Sequence, residues 1–167
     1  MTDIDFLIKK FDLKPHPEGG YFKETYRSPG VITQTGLPEN YKGSRNHSTC
    51  IYFLLTSDMF SAFHRIKQDE IWHFYAGSTL KLHIISEEGE YSRHTIGGNF
   101  SDGQVPQFVV PGGDWFAAST LASDGYSFVG CTVAPGFDFA DFELPERKEL
   151  ISKFPKHAEI ISKLTRA

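Results

Sequence analysis

The stretch that decides the fold is residues 49–86, which read TCIYFLLTSDMFSAFHRIKQDEIWHFYAGSTLKLHIIS. It contains short apolar or alternating runs separated by turns that are polar or contain glycine. The runs are Thr49–Leu55, Phe60–Arg65, Glu70–Tyr75 and Leu80–Ser86. Runs of this length between turn residues are typical of β-strands. The stretch therefore predicts a series of strands joined by short connections.

The same pattern continues on both sides of this stretch. Further runs are Tyr21–Tyr26, Tyr91–Ile96, Gln107–Val110, Trp115–Ser119 and Phe128–Val133. Many short strands at regular spacing predict a β-sandwich or a β-barrel. The polar segment Pro29–Arg45 shows no such period, and we expect it to be an exposed loop near the barrel mouth.

Helices are predicted only at the two ends of the sequence. Apolar residues at helical spacing over residues 3–11 indicate a short amphipathic helix. A second helical pattern follows Pro145, and Pro155 is expected to begin a separate final helix. We therefore expect a single domain, with an N-terminal helix over 1–12, a barrel over 13–144 and C-terminal helices over 145–167.

Composition and charge exclude several classes of function. The chain has 167 residues and a net charge of −4, without a basic cluster, which argues against nucleic-acid binding. No apolar run is long enough for a transmembrane helix, and no signal peptide is recognised. Cys50 and Cys131 both lie in apolar runs and are expected to be reduced thiols. These observations together predict a cytoplasmic protein that does not bind membranes.

The chemistry is expected in the central stretch, where two successive strands joined by a short turn would place His64 and Glu70 near one another. If Glu70 faces the interior, the alternation of a strand places Trp72 and Phe74 on the same face and His73 on the other. An imidazole, a carboxylate and two aromatic rings would then share one cavity. Such a set suits proton transfer or the recognition of a flat polar ligand.

This stretch resembles the first motif of the cupin superfamily, with Glu70 and Gly77 at matching positions and His64 at the second histidine position. Ala62 occupies the first histidine position of that motif. In the second cupin motif Pro111 and Gly113 match, but Phe116 stands at the histidine position. Tight binding of a first-row metal normally needs three or more protein ligands. We therefore expect no metal cofactor, with a divalent ion at His64 and Glu70 left as a weaker alternative.

The chain is similar in more detail to one branch of that superfamily, the cupin-5 family, also called DUF985. The stretches that carry this resemblance are 15–22 (PHPEGGYF), 24–28 (ETYRS), 49–55 (TCIYFLL), 69–74 (DEIWHF), 129–137 (VGCTVAPGF) and 141–144 (DFEL). The resemblance implies a mainly β double-stranded β-helix, the cupin jelly-roll barrel, and a homodimer. The fold it implies is also similar to that of sugar-nucleotide epimerases, which bind a nucleoside diphosphate in the barrel.

These resemblances motivate a small-molecule site in the barrel, with a purine nucleoside diphosphate such as GDP, or a nucleotide-sugar, as the favoured ligand. Aromatic walls would hold the base, and rim cations, chosen from Lys23, Arg27, Arg45 and Arg65, would meet the phosphates. The residues expected to bind the ligand are Tyr21, Lys23, Arg27, Thr49, Ile51, Phe53, His64, Glu70, Trp72, His73, Phe74 and Phe116.

Three alternatives remain open at the level of sequence. The first is a metal-independent sugar or sugar-nucleotide isomerase or epimerase, with His64 as the base and Glu70 as its acid or orienting partner. The second is a metal-dependent cupin enzyme. The third is a barrel that only binds a partner or supports structure. Catalysis itself is left undecided by the sequence.

Overall fold

Every run that the sequence marks as a strand contains a strand in the computed structural model, which describes residues 3–166. The strands are β1 (Lys14–Pro15), β2 (Tyr21–Arg27), β3 (Val31–Ile32), β4 (Arg45–Asn46), β5 (Thr49–Thr56), β6 (Phe60–His64), β7 (Asp69–Gly77), β8 (Leu80–Ile85), β9 (Tyr91–Ile96), β10 (Gln107–Val110), β11 (Trp115–Thr120) and β12 (Tyr126–Ala134). The α-helices are α1 (Asp3–Lys10), α2 (Arg147–Lys153) and α3 (Ala158–Lys163). Single 3₁₀ turns lie at Gln34–Gly36, Phe100–Asp102, Phe139–Asp141 and Pro155–His157.

The strands form two main sheets. The larger has the order β1-β2-β5-β12-β7-β10 and the smaller the order β6-β11-β8-β9, while β3 and β4 form a separate ribbon. From β5 to β8 the chain alternates between the two main sheets, and it does so again from β10 to β12. This alternation winds the chain as a double-stranded β-helix. The predicted fold class, mainly β with short helices at both ends, is confirmed.

Three apolar clusters hold the sheets and helices together. The first fills the space between the sheets and includes Trp72, Phe116 and Leu82. The second packs α2 and α3 onto the outer face of the smaller sheet. The third packs α1 and the residues after it onto the outer face of the larger sheet. Because the first cluster occupies only part of the barrel, the rest of the interior is left for a cavity.

The segment Pro29–Arg45 differs from the exposed loop that its composition predicts. It contains β3, a 3₁₀ turn and the start of β4, and both Tyr41 and Arg45 are buried. The Arg45 guanidinium donates to both carboxylate oxygens of Asp141, at 2.7 and 2.8 Å. A buried carboxylate needs such a partner. Arg45, which the sequence suggested as a cation at the rim, is therefore an internal ion-pair partner of Asp141.

No helix within residues 3–166 is long and apolar enough to cross a membrane, since the longest has eight residues.

Candidate functional site

A cavity of about 320 Å³ lies between the two sheets, at the end of the barrel where β5 and β7 begin and β12 ends. This volume is at the lower end of the range for small-molecule sites, roughly 300–1,000 Å³. Its lining residues are His16, Glu18, Phe22, Glu24, Arg27, Thr49, Ile51, Phe53, His64, Ile66, Glu70, Cys131, Val133, Phe137, Asp138, Phe139 and Phe142. Most of the wall is therefore apolar or aromatic, with a small number of ionisable groups.

A buried ion pair between His64 and Glu18 forms the floor of the cavity. Nε2 of His64 lies 2.9 Å from Oε2 of Glu18, and both side chains are less than one-tenth exposed. Nδ1 of His64 donates to the carbonyl oxygen of Ala62 at 2.7 Å. Ser61 donates to the other carboxylate oxygen of Glu18 at 2.8 Å. Both ring nitrogens of His64 are thus committed to partners within the protein.

Burial disfavours the charged forms of both groups, but their mutual attraction is stronger. This attraction raises the pKa of His64 above its ordinary value and lowers the pKa of Glu18 below its ordinary value. The pair is therefore an imidazolium and a carboxylate. His64 has no free lone pair with which to accept a proton from a ligand, so the geometry does not suit the role of base that the sequence suggested for it.

Glu70 lies near this pair but is not neutralised by it. The side chain is buried, and His64, the cation that acts on it, is already bound to Glu18. Burial therefore raises the pKa of Glu70 to about 7. Its hydrogen-bonding neighbour is the Cys131 thiol, whose own pKa is raised by burial and by the nearby carboxylate. Glu70 thus exists in both protonation states near neutral pH.

His16 forms another part of the wall. Its ring lies edge-on to Phe22, with the ring centroids 4.6 Å apart, and is also packed near Phe53 and Phe142. Burial and the positive charge of His64 lower the pKa of His16, although Glu18 acts in the opposite direction. The ring is therefore neutral at physiological pH.

Residues 136–142, here called the aromatic flap, cover the mouth of the cavity with Phe137, Phe139 and Phe142. Arg27 holds the flap to β2, because both terminal nitrogens of its guanidinium donate to the carbonyl oxygen of Phe137 at 3.1 Å. The same guanidinium forms a two-point ion pair with Glu24, at 2.9 and 2.8 Å. Arg27 is therefore already neutralised and serves as a tie at the rim.

The structure brings about half of the expected ligand-binding residues together. Those that line the cavity are Arg27, Thr49, Ile51, Phe53, His64 and Glu70. Trp72 and Phe116 face the interior but lie in the packed core, each 1% exposed. Phe74 packs against the same core further along β7. None of these three aromatic side chains lines the cavity.

Three other expected residues lie on the outside of the larger sheet. Tyr21 packs against the cluster around α1, and Lys23 forms an ion pair with Asp12 at 2.9 Å. His73 meets the hydroxyl group of Thr132 at 3.0 Å. Alternation along β2 and β7 turns these side chains away from the cavity, as the sequence suggested for His73.

Sequence reasoning missed His16, Glu18 and the aromatic flap. The turn at residues 17–20 places Glu18 against His64, and Gly19 is required there, since a Cβ atom would lie 2.1 Å from the carbonyl oxygen of Phe60. Arg166 braces the same turn by donating to the carbonyl oxygen of Glu18 at 2.7 Å. The available signal in the sequence was Glu18 directly before two consecutive glycines, which mark a tight turn.

The site does not fit the metal ion that many cupins carry. Of the two ligands that remain in the motifs, His64 has both nitrogens bound within the protein. Phe116 at the later histidine position offers no lone pair. Across residues 3–166, no three His, Cys, Asp or Glu side chains are grouped in a way that could hold a metal ion.

Comparison with known proteins agrees with the fold and the motifs. Residues 5–145 match the Cupin_5 family, described as "Cupin superfamily (DUF985)". The chain is 34% identical over 149 residues to the uncharacterized protein YML079W of Saccharomyces cerevisiae, a match that covers 84% of this chain and 74% of the yeast protein.

Solved structures show the same relationship. Protein SO0799 from Shewanella oneidensis superimposes with a TM-score of 0.89 at 38% identity, covering 99% of each chain. Oxalate decarboxylase from Bacillus subtilis superimposes with a TM-score of 0.52 at 16% identity, covering 90% of this chain and 36% of that chain. The second likeness is one of fold alone. The chain belongs to the Cupin_5 (DUF985) family of the cupin superfamily.

Proposed function

We propose that the barrel cavity binds a small organic molecule and exchanges a proton with it through the carboxyl group of Glu70. The observation that carries this proposal is a buried carboxyl group that faces an apolar cavity, lacks a cation of its own and has a pKa of about 7. A general acid or base is most effective when its pKa is near the working pH. Structural carboxylates, by contrast, are normally paired and ionised.

The proposed reaction class is isomerisation or epimerisation next to a carbonyl group, without a metal. In isomerisation Glu70 removes the proton of the hydroxyl-bearing carbon next to the carbonyl group, the hydroxyl proton passes to the former carbonyl oxygen, and Glu70 returns its proton to the former carbonyl carbon. In epimerisation Glu70 returns the proton to the same carbon after the planar intermediate has turned over in the cavity. His64 is a positioning residue, since its imidazolium is fixed by Glu18 and places a positive charge near Glu70. A sugar or a sugar-nucleotide is the substrate class we favour.

The test is exchange of solvent deuterium into keto-sugars. Protein in D₂O is incubated with dihydroxyacetone, erythrulose, ribulose, xylulose and fructose, and incorporation is followed by proton NMR. We expect exchange with the unaltered protein and a loss of at least about 100-fold for Glu70→Gln, the lower range of a general base's contribution. His47→Gln, at an exposed position outside the cavity, is the matched control. Equal rates for Glu70→Gln and the control would reject the proposal.

A second candidate function is nucleotide binding, with GDP as the favoured ligand. It is supported by the aromatic rings of Phe22, Phe53, Phe137 and Phe142, which could hold a base in the cavity. Because Arg27 is paired with Glu24, the phosphates would extend past the rim into solvent. Calorimetry with GDP, ADP, guanosine and adenosine tests it, and the absence of heat with all four at millimolar concentration would reject it.

We also propose that the protein works in the cytoplasm, as its two cysteines are unpaired. Fractionation of the source cells tests this, and recovery in a membrane or secreted fraction would contradict it.

A further inference from the structure

The orientation of His16 fixes which of its nitrogens carries the proton. The backbone N–H of Glu18 donates to Nδ1 of His16 at 3.3 Å. The carboxylate oxygen Oε2 of Glu18 is farther from Nδ1, at 3.5 Å, and is already bound to His64. A nitrogen that accepts a hydrogen bond cannot also hold a proton, so in the neutral ring the proton is on Nε2. Within residues 3–166, no hydrogen-bond acceptor is found for that Nε2–H group, while the ring lines the cavity.

We infer that His16 donates its Nε2–H to the carbonyl oxygen of the bound ligand while Glu70 transfers the proton of the adjacent carbon. The two side chains line the same cavity from separate parts of the larger sheet, since His16 lies between β1 and β2 and Glu70 lies on β7. The inference rests on the proposed function. It adds a second catalytic residue, outside both cupin motifs, and names the group on the ligand that this residue contacts.

The step balances without any further reactant. The ionised Glu70 carboxylate forms an O–H bond to the proton of the α-carbon, and the electrons of the broken C–H bond form the C=C bond of an enolate. The carbonyl oxygen takes the negative charge and accepts the hydrogen bond from His16. Return of the proton from Glu70 to carbon regenerates the carbonyl group and the carboxylate.

The surroundings of His16 suit this role. Its ring is held by contacts with Phe22 and Phe142, so the N–H direction is fixed before the ligand binds. The low pKa of His16 keeps it neutral beside the imidazolium of His64. A neutral imidazole paired with a glutamate base is an established arrangement for enolisation in other enzymes.

The charges of the cavity restrict the ligand further. Its two cations, Arg27 and His64, are each paired with a carboxylate, Glu24 and Glu18 respectively. Two further lining carboxyl groups, Asp138 and the ionised form of Glu70, therefore make the cavity negative overall. A polyanion would therefore be repelled from the interior. The favoured ligand is a small α-hydroxy ketone or aldehyde whose reacting end is uncharged, with any phosphate or nucleotide outside the rim.

The first experiment needs no ligand. Proton–nitrogen correlation spectra of ¹⁵N-histidine-labelled protein report the tautomer of each neutral ring, and His16→Gln identifies the His16 signals. We expect the Nε2–H tautomer at pH 7. An Nδ1–H tautomer or a charged ring at that pH would overturn the inference whatever the protein binds.

The second experiment uses the deuterium-exchange panel above. We expect His16→Phe, which keeps an aromatic ring but lacks the donor, to lower the exchange rate constant at saturation at least about 30-fold with little change in KM. His16→Gln restores a side-chain N–H donor and is expected to recover part of that loss. His47→Gln is again the control.

The outcomes separate the inference from the proposed function. Exchange that depends on Glu70 but is unchanged in His16→Phe would overturn the role of His16 and leave the proposed function intact. No exchange by the unaltered protein with any of the five ketones would count against the proposed function, while the tautomer still decides the donor assignment. Thermal unfolding of each variant identifies any loss that results from misfolding.

Discussion

Nε2 of His64 and Oε2 of Glu18 are 2.9 Å apart, and both side chains are less than one-tenth exposed. Replacing Glu18 with Gln removes the charge but keeps the shape, so the imidazolium loses its counterion. We expect the pKa of His64 to fall below its ordinary value and the free energy of unfolding at pH 7 to drop by about 2–3 kcal/mol. Urea denaturation measures this loss. The control is Glu24→Gln, which breaks a partly exposed ion pair and should lower the free energy of unfolding by less than about 1 kcal/mol.

The same pair stabilises the fold over a limited pH range. The lowered pKa of Glu18 contributes stability above its ordinary value of 4.5, which is lost as pH falls through the folded pKa. The raised pKa of His64 contributes stability that is full below 6.5 and lost as pH rises through the folded pKa. The stability difference between wild type and Glu18→Gln should therefore be greatest between these limits. A difference that is flat from pH 3 to 9 would contradict the ion pair.

Glu70 should have the opposite effect on stability. Since its pKa is raised from 4.5 to about 7, folding binds a proton in this range and stability falls as pH rises from about 4.5 to 7. The penalty above pH 7 is about 3 kcal/mol at most. We expect Glu70→Gln to be more stable than wild type at pH 8 but not at pH 4. Denaturation curves at the two pH values check this, and equal differences at both would argue against the raised pKa.

Arg45 and Arg65 offer a matched test of buried and exposed ties. Arg45 binds the buried Asp141, to which Gln68 also donates at 2.8 Å, whereas Arg65 binds the exposed Glu143. Arg45→Met removes the closer of two cations from this buried carboxylate and leaves Lys67 at 3.3 Å, so it should cost about 3 kcal/mol, the lower end of the range for a broken buried pair. Arg65→Met should cost less than about 1 kcal/mol. Similar losses measured by denaturation would show that Asp141 does not depend on Arg45.

Arg27→Lys tests the tie on the aromatic flap. Lysine keeps the charge but cannot bind Glu24, Asn46 and the carbonyl oxygen of Phe137 at once, as the guanidinium does. We expect faster hydrogen exchange at the Phe137 amide, which donates to Thr49, with little change elsewhere in the larger sheet. Uniform acceleration would indicate global destabilisation instead.

The homodimer implied by the family resemblance is a separate proposal. Tyr26, Tyr75 and Val109 lie on strands of the larger sheet, and each is about half exposed. A dimer through this face would cover them, so we expect Tyr75→Glu to shift sedimentation from dimer to monomer. A wild-type chain that sediments as a monomer at micromolar concentration would reject the proposal.

The sequence predicted the barrel well because strand length and turn residues are local signals. Glu70 and Trp72 share the interior face as alternation requires, and the helix after Pro145 packs where its apolar residues indicate. Depth within the barrel is not a local signal. Trp72 and Glu70 face the same way, yet only Glu70 reaches the cavity.

Partnerships between distant residues were also beyond the sequence. Glu18 and His64 are brought together by a turn whose Gly19 packs against the backbone of β6. The sequence suggested Arg27 as a free cation at the rim, but the fold places Glu24 and Phe137 beside it as hydrogen-bond acceptors. Such contacts depend on three-dimensional packing, and the sequence around each residue does not indicate which distant residue it contacts.

The brace of Arg166 on the Glu18 turn has a consequence for biosynthesis. Leu164 accepts a hydrogen bond from the backbone of Phe63 at 2.8 Å, and Arg166 reaches both Glu18 and Phe60. All the residues that line the cavity precede residue 143. A nascent or truncated chain that ends before residue 164 can thus contain every lining side chain and still lack the support beneath its floor. We therefore expect the cavity to be complete only after residues 164–166 have been translated, although these residues do not line it.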